Sequence, residues 1–222
     1  MKNKKCIVLL SGGLDSTTTL YYVLSKNYSP ICLIFDYGQK HKKEIKFAKK
    51  IAKNLGLEYY IIKFNLPWKG SSLLDKNQDI PINRKLNSTK IPSTYVPARN
   101  VIFLSYAISL AEVMKVKYIF YGANQVDFSG YPDCRKEFIL SFQKMANKAT
   151  VLGNKGVKIE IKAPLLKYTK SEILKLAIKL KVPLELTWSC YRGKKRPCGV
   201  CDACRYRKKA FLTLGIKDPL EN

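Results

Sequence analysis

No apolar run in this chain is long enough to cross a bilayer. The longest nearly apolar stretch, Val101 to Met114, carries Ser105, Ser109 and Glu112, whereas a span needs about 20 consecutive apolar residues. The basic start, Met1 to Lys5, precedes an apolar run, Cys6 to Leu10, that is too short for a signal-peptide core and leads into glycines instead of a cleavage site. A cytoplasmic protein is expected. Histidine is nearly absent: His41 is the only one, and its place at the start of a Lys-rich segment reads as an ordinary position. Acidic residues number 16 against 41 basic ones, for a net charge of +25. That charge suits a polyanion such as tRNA. Arginine, however, is scarce, and lysine is spread through nearly every segment instead of clustering with aromatics as in a nucleic-acid groove. Stable nucleic-acid binding is therefore not expected, and solvated lysines with attraction for an anionic small substrate are. Internal repeats and low-complexity tracts are also missing. At 222 residues and 46% apolar content, the chain can bury a full core in one domain, or in one domain with an appendage.

The loop that follows Cys6-Ile7-Val8-Leu9-Leu10 lacks the Gly-Lys-Ser/Thr of the Walker loop. What stands there is Ser11-Gly12-Gly13-Leu14-Asp15-Ser16-Thr17. The run before it is short, continuous and partly β-branched, as in a strand buried on both faces of a parallel sheet. The glycines allow a tight turn and close backbone approach, and Ser16, Thr17 and Thr18 suit the first turn of a helix, whose free N–H groups and dipole attract anions. Strand, glycine loop and helix start together predict a phosphate site. The pattern Ser-Gly-Gly-x-Asp-Ser resembles the PP-loop of ATP pyrophosphatases, which split ATP between its α and β phosphates. The resemblance assigns the loop and its flanks, Leu10, Ser11, Gly12, Gly13, Leu14, Asp15, Ser16, Thr17, Thr18, Thr19 and Leu20, to ATP, with Asp15 assisting Mg2+ or fixing the loop.

Pro30 leads into a second buried run, Ile31 to Phe35, ending at Asp36. Gln39 to Leu55 places Ile45, Ala48, Ile51, Ala52 and Leu55 on one helical face, with Gly56 as the stop. Glu58 to Phe64 returns as a strand. Asn65 to Tyr95 loses periodicity and reads as a long excursion over the active-site edge. A helix over Val101 to Lys115, a strand over Lys117 to Tyr121, a polar loop over Gly122 to Asp133 and a helix over Lys136 to Ala149 follow. Lys158 to Ile161 is a short strand, and Thr169 with Glu172 forms a capping box for a helix ending near Leu180. This alternation predicts an α/β fold, a doubly wound parallel sheet with ligands at the carboxyl ends of its strands. The expected division is an ATP-binding unit over 1–185 and a small metal-binding region over 186–222.

That region carries Cys190, Cys198, Cys201 and Cys204, the last three separated by two-residue gaps. Four thiolates can close a tetrahedral Zn2+ site with no open position, a structural staple for the C-terminal tail. Arg192, Lys194, Lys195, Arg196, Arg205 and Arg207 would offset the charge of the tetrathiolate. The rival is an iron–sulfur cluster. Cys6 and Cys32 fall in predicted strands and read as core.

Four further segments complete a family pattern: Phe35 to Gln39, Val96 to Asn100, Asp127 to Arg135, and Ser189 to Tyr191. With the PP-loop and the cysteines they resemble the 7-cyano-7-deazaguanine synthases, from about Lys5 to Phe211. The resemblance implies an ATP-dependent ligase that converts 7-carboxy-7-deazaguanine and ammonia into 7-cyano-7-deazaguanine in queuosine biosynthesis. Adenylation makes AMP the leaving group for ammonia, and a second adenylation, of the amide, leads to the nitrile. It further implies catalytic roles for Asp15, Ser16, Arg99 and Lys170, the last two stabilising pyrophosphate or adenylate charge, with Asp36 near ATP; an ordinary surface charge stays open for Arg99 and Lys170. Asp127, Asp133 and Arg135 would recognise the substrate, carboxylates meeting the base N–H groups and the arginine its acid. Turn and helix-cap roles stay open for both aspartates. The resemblance also makes a homodimer plausible. The alternatives are a PP-loop enzyme that adenylates a base in tRNA, and a zinc-containing nucleic-acid-binding protein without catalysis.

Overall fold

The structure, a computed structural model, describes residues 4–86, 90–126 and 131–221. The chain runs β1 (Lys4–Leu9), α1 (Leu14–Ser25), β2 (Tyr28–Asp36), α2 (Lys43–Asn54) and β3 (Tyr59–Lys63). It continues as α3 (Arg99–Val113), β4 (Tyr118–Phe120), α4 (Lys136–Ala149), the short α5 (Val151–Asn154), β5 (Glu160–Lys162), α6 (Lys170–Lys179) and α7 (Asp202–Thr213). All strand pairs are parallel, in the order β3-β2-β1-β4-β5. The direction of winding reverses at β1, between β2 and β4. A crevice therefore opens beyond the carboxyl ends of these strands, where open α/β sheets bind ligands.

Side chains alternate across the sheet, and each face has its own cover. Cys6, Val8, Leu10, Cys32, Ile34 and Phe120 meet Leu20 and Val23 of α1 and Ile45, Ala48 and Ile51 of α2. Ile7, Leu9, Leu33, Phe35, Ile119 and Ile161 meet the other layer, which holds Leu104 and Ala107 of α3 and Ile139 and Phe142 of α4. Cys6 and Cys32 are fully buried, as expected of core residues. Helices on both faces explain why the strands read as continuous apolar runs.

The α2 stripe is as periodic as expected, but the helix starts at Lys43, not Gln39. Gln39 is occupied elsewhere: its Oε1 accepts from the Tyr37 N–H at 2.9 Å and its Nε2 donates to the Phe35 carbonyl at 3.2 Å, which spends these residues on a turn. The segment from Asn65 to Tyr95 holds neither helix nor strand among its described residues. Beyond β5, α6 and α7 pack on α1 through Leu14, Ile173, Leu174, Ala177, Ala210 and Phe211. Arg207 clasps this layer: it donates to Asp218 at 2.5 and 2.9 Å and to Thr187 Oγ1 at 2.7 Å, with both charged side chains buried.

Candidate active site

Because β1 ends at Leu9 and α1 begins at Leu14, the chain must reverse within a few residues. Gly12 does so at φ +80°, and a Cβ there would stand 2.4 Å from the Glu44 carbonyl oxygen and 2.6 Å from the Ala48 nitrogen, inside the backbone of α2. Only glycine fits. Gly13 is the N-cap of α1 in extended conformation and supplies no side-chain cap, so the first N–H groups of the helix are left for a ligand. Ser16 Oγ ties the loop together, accepting from Ser11 N at 3.2 Å, donating to the Gly13 carbonyl at 3.2 Å and lying 2.9 Å from Ser11 Oγ. Gly122, just past β4, rests on the same turn: a Cβ would meet Ser16 N at 3.0 Å. Thr17, Thr18, Thr19 and Leu20 are fully buried. Thr18 Oγ1 donates back to the Leu14 carbonyl at 2.7 Å, so these residues seat the helix beneath the loop.

The loop opens on a cavity of about 250 Å³ whose lining includes Leu10, Ser11, Gly13, Leu14, Asp15, Ser16, Arg99 and Lys170. Arg99 enters as the first residue of α3 because Ala98 turns the chain through a left-handed conformation at φ 54°, a costly geometry for a residue with a Cβ. Its Nη1 donates to the Tyr37 hydroxyl at 3.3 Å. Burial opposes the guanidinium charge, but Tyr37, Tyr131 and Asp133 more than offset it and keep Arg99 protonated. Lys170 enters as the first residue of α6, behind the capping box of Thr169 and Glu172, in which both reciprocal bonds form. Its Nζ grips both carboxylate oxygens of Asp15 at 2.7 and 2.6 Å.

Other expected site residues lie outside that lining. Asp36, at the end of β2, pairs with Lys42 at 2.8 Å. Asp133 turns its carboxylate to the start of α3, accepting from Asn100 N at 3.0 Å, while Asn100 Nδ2 donates to the Asp133 carbonyl at 3.2 Å. Arg135 is the exposed N-cap of α4. Asp127 lies outside the described residues.

Glu44 and Trp188 are among the lining residues that escaped the sequence reading. Glu44 faces the cavity from the first turn of α2, and burial pushes its carboxyl above the usual range while His41, Arg99 and the Gln39 amide pull it down. Trp188 donates its backbone N–H to the Gly12 carbonyl at 2.8 Å and its ring N–H to the Cys190 carbonyl at 2.9 Å, linking loop and cysteine cluster. Cys134 also lines the cavity, and burial pushes its thiol up to about 12, which makes it a poor nucleophile. The motifs from Phe35 to Gln39 and from Ser189 to Tyr191 bracket Glu44 and Trp188, and were the available signal.

Cys190, Cys198, Cys201 and Cys204 bring their sulfurs within 4.8 Å of one another. Cys190 Sγ accepts from Cys198 N at 3.3 Å and Arg192 N at 3.4 Å, and Cys198 Sγ accepts from Cys201 N at 3.3 Å. Backbone donors to sulfur favour thiolates, and four thiolates this close suit one metal ion.

The family model described as "Queuosine biosynthesis protein QueC" matches residues 5–215. A 7-cyano-7-deazaguanine synthase from Acetivibrio thermocellus is 49% identical over 98% of this chain and 97% of its own. Another, from Trichodesmium erythraeum, is 47% identical over 97% of this chain and 99% of its own. Among solved structures, a 4-thiouridine synthetase–RNA complex with bound ATP aligns with a TM-score of 0.52 at 18% identity, covering 95% of this chain and 54% of that one. That likeness is one of fold.

Proposed function

The chain belongs to the queuosine biosynthesis protein QueC family, and from that premise we propose that it converts 7-carboxy-7-deazaguanine and ammonia to 7-cyano-7-deazaguanine with ATP. The observation that carries this reading is one cavity lined by an uncapped helix N-terminus, the serine–glycine loop, a charged arginine and a lysine. Those groups match a polyphosphate chain and an adenylate. A carboxylate resists ammonia because its oxygen leaves poorly; transferred to AMP, that oxygen departs as phosphate. Ser11, Gly13 and the start of α1 would hold the leaving pyrophosphate, and Arg99 the charge on the adenylate. Asp15 is the loop carboxylate that would hold a Mg2+ ion, and that ion would supply charge neutralisation for the phosphates.

Recognition of the substrate, its base by Asp127 and its acid group by Arg135, is part of the proposal. Asp133 enters it as the residue that fixes the start of α3, and so Arg99, in place. Zn2+ is the metal proposed for the four cysteines, since their all-sulfur set leaves no open position. There it would hold Cys190, and through Trp188 the turn at Gly12. A cytoplasmic location fits the free state of all seven cysteines. The test is the bond that breaks. Turnover of ATP should give AMP and pyrophosphate, and release of ADP and phosphate instead would overturn the reading.

A further inference from the structure

We propose that Glu44 is the proton acceptor of this site and that Gln39 is its positioning residue; the inference rests on the reaction proposed above. Two carboxyl groups line the cavity, Asp15 and Glu44. Asp15 is held on both oxygens by Lys170 at 2.6 and 2.7 Å, so both are already engaged. Glu44 pairs with no cation among the described residues. Its Oε1 accepts from Gln39 Nε2 at 3.2 Å. The amide cannot be flipped, because Gln39 Oε1 is fixed by the Tyr37 N–H at 2.9 Å and Nε2 also donates to the Phe35 carbonyl at 3.2 Å. Gln39 is buried, so this orientation is built into the turn after β2.

The other titratable groups of the lining serve the purpose less well. Burial holds Tyr37, Tyr131 and Tyr191 protonated, Cys134 is pushed up to about 12, and Arg99 stays charged. The groups that face Glu44 are His41 from the preceding loop, Arg99 from α3 and Tyr37 from the turn after β2. His41 and Arg99 draw its carboxyl down against the effect of burial. A cavity-lining carboxyl that burial raises above its usual range, with an amide donor fixed on one oxygen and no cation paired to it among the described residues, is suited to accepting a proton.

The chemistry calls for such a group more than once. When ammonia adds to the acyl-adenylate, the nitrogen carries three hydrogens and a positive charge. One proton passes to the Glu44 carboxylate, the C–O bond to AMP breaks with its electron pair on the phosphate oxygen, and the neutral amide remains. The proton then leaves to water. The adenylated amide, with its C=NH2+ group, next gives one proton to the Glu44 carboxylate, which passes it on to water, and C=NH remains. The electron pair of that remaining N–H bond becomes the third C–N bond as AMP departs, and its proton again needs an acceptor.

Adenylation of the acid requires no proton removal, and the test uses that difference. Glu44→Gln keeps the size and an oxygen for Gln39 but removes the base. It should lower amide and nitrile formation by about 10²–10⁴-fold, while acid-dependent exchange of pyrophosphate into ATP, measured without ammonia, stays within about threefold of wild type. Gln39→Leu should produce a smaller loss with the same pattern. The pH profile of wild-type kcat/KM should show an acid limb that Glu44→Gln lacks, which keeps the proposal testable should Gln39→Leu fail to fold. Nitrile formation at the wild-type rate by Glu44→Gln, or an exchange rate that falls with it, would overturn the proposal. Absence of nitrile from the wild-type protein itself would instead overturn the reaction on which the proposal rests.

Discussion

Replacing Gly12 with alanine tests whether the loop is built around the absence of a side chain. A Cβ at this position would lie 2.4 Å from the Glu44 carbonyl oxygen and 2.6 Å from Ala48 N. Both are backbone atoms of α2, which cannot rotate out of the way, so loop or helix must shift. Overpacking of that kind costs about 1–3 kcal/mol, and the left-handed conformation at φ +80° adds about 1–2 kcal/mol for a residue with a Cβ. Gly56 separates the two effects: it too has positive φ, at +63°, but a Cβ there meets nothing within 4 Å. Gly56→Ala should show the conformational cost alone. In urea denaturation, with a slope of about 2 kcal/mol/M, the Gly12→Ala midpoint should fall about 0.5–1.5 M below that of Gly56→Ala. ATP affinity should fall with Gly12→Ala only, because that displacement moves the phosphate loop. Equal midpoints, or unchanged ATP affinity, would refute the packing argument.

Three further outcomes are expected. Arg207→Ala, which strands the buried Asp218 carboxylate, should cost about 3–5 kcal/mol of stability in denaturation, and Arg207→Lys should recover only part because it cannot fork across both oxygens. Purified protein should carry one zinc per chain by elemental analysis, and Cys201→Ala should abolish it; stoichiometric iron with visible absorption would replace zinc by a cluster. Burial raises the Cys6 and Cys32 thiols from 9.0 to about 12 in the folded state. Their contribution to stability is therefore intact below pH 9 and is lost as pH rises through the window from 9 to about 12, by up to about 1.4 kcal/mol per pH unit for each thiol. Urea midpoints measured across the accessible part of that window should fall less steeply in Cys6→Ala and Cys32→Ala than in wild type.

Features whose partners are near in sequence were legible before the fold was known. The capping box of Thr169 and Glu172 forms as written, and the α2 stripe of Ile45, Ala48 and Ile51 lies in the core. The glycine loop sits between strand and helix for the same reason: Gly12, Gly13 and Ser16 define it within a few residues. Boundaries moved where side chains had other tasks. Gln39 has a helical neighbourhood but is spent on the Tyr37 turn, and Arg99 precedes the apolar periodicity yet begins α3 because Ala98 adopts a left-handed cap. Contacts between distant segments left no local pattern. Asp133 reaches the start of α3 across 33 residues and Lys170 reaches Asp15 across 155. The identity of Asp15 and Lys170 as site residues could be argued from the motif and the helix start, but not that they neutralise one another. Glu44 was hidden for a related reason: on a Lys-rich amphipathic helix it reads as a surface charge until the turn at Gly12 packs against α2.

Purified protein incubated with magnesium, ATP, ammonium and 7-carboxy-7-deazaguanine, with nitrile followed by mass and AMP by chromatography, measures the proposed reaction directly. The expected result is nitrile with one AMP for each adenylation, about two per product, since each poor leaving group is activated in turn. No nitrile, with AMP released only when tRNA is added, would contradict it.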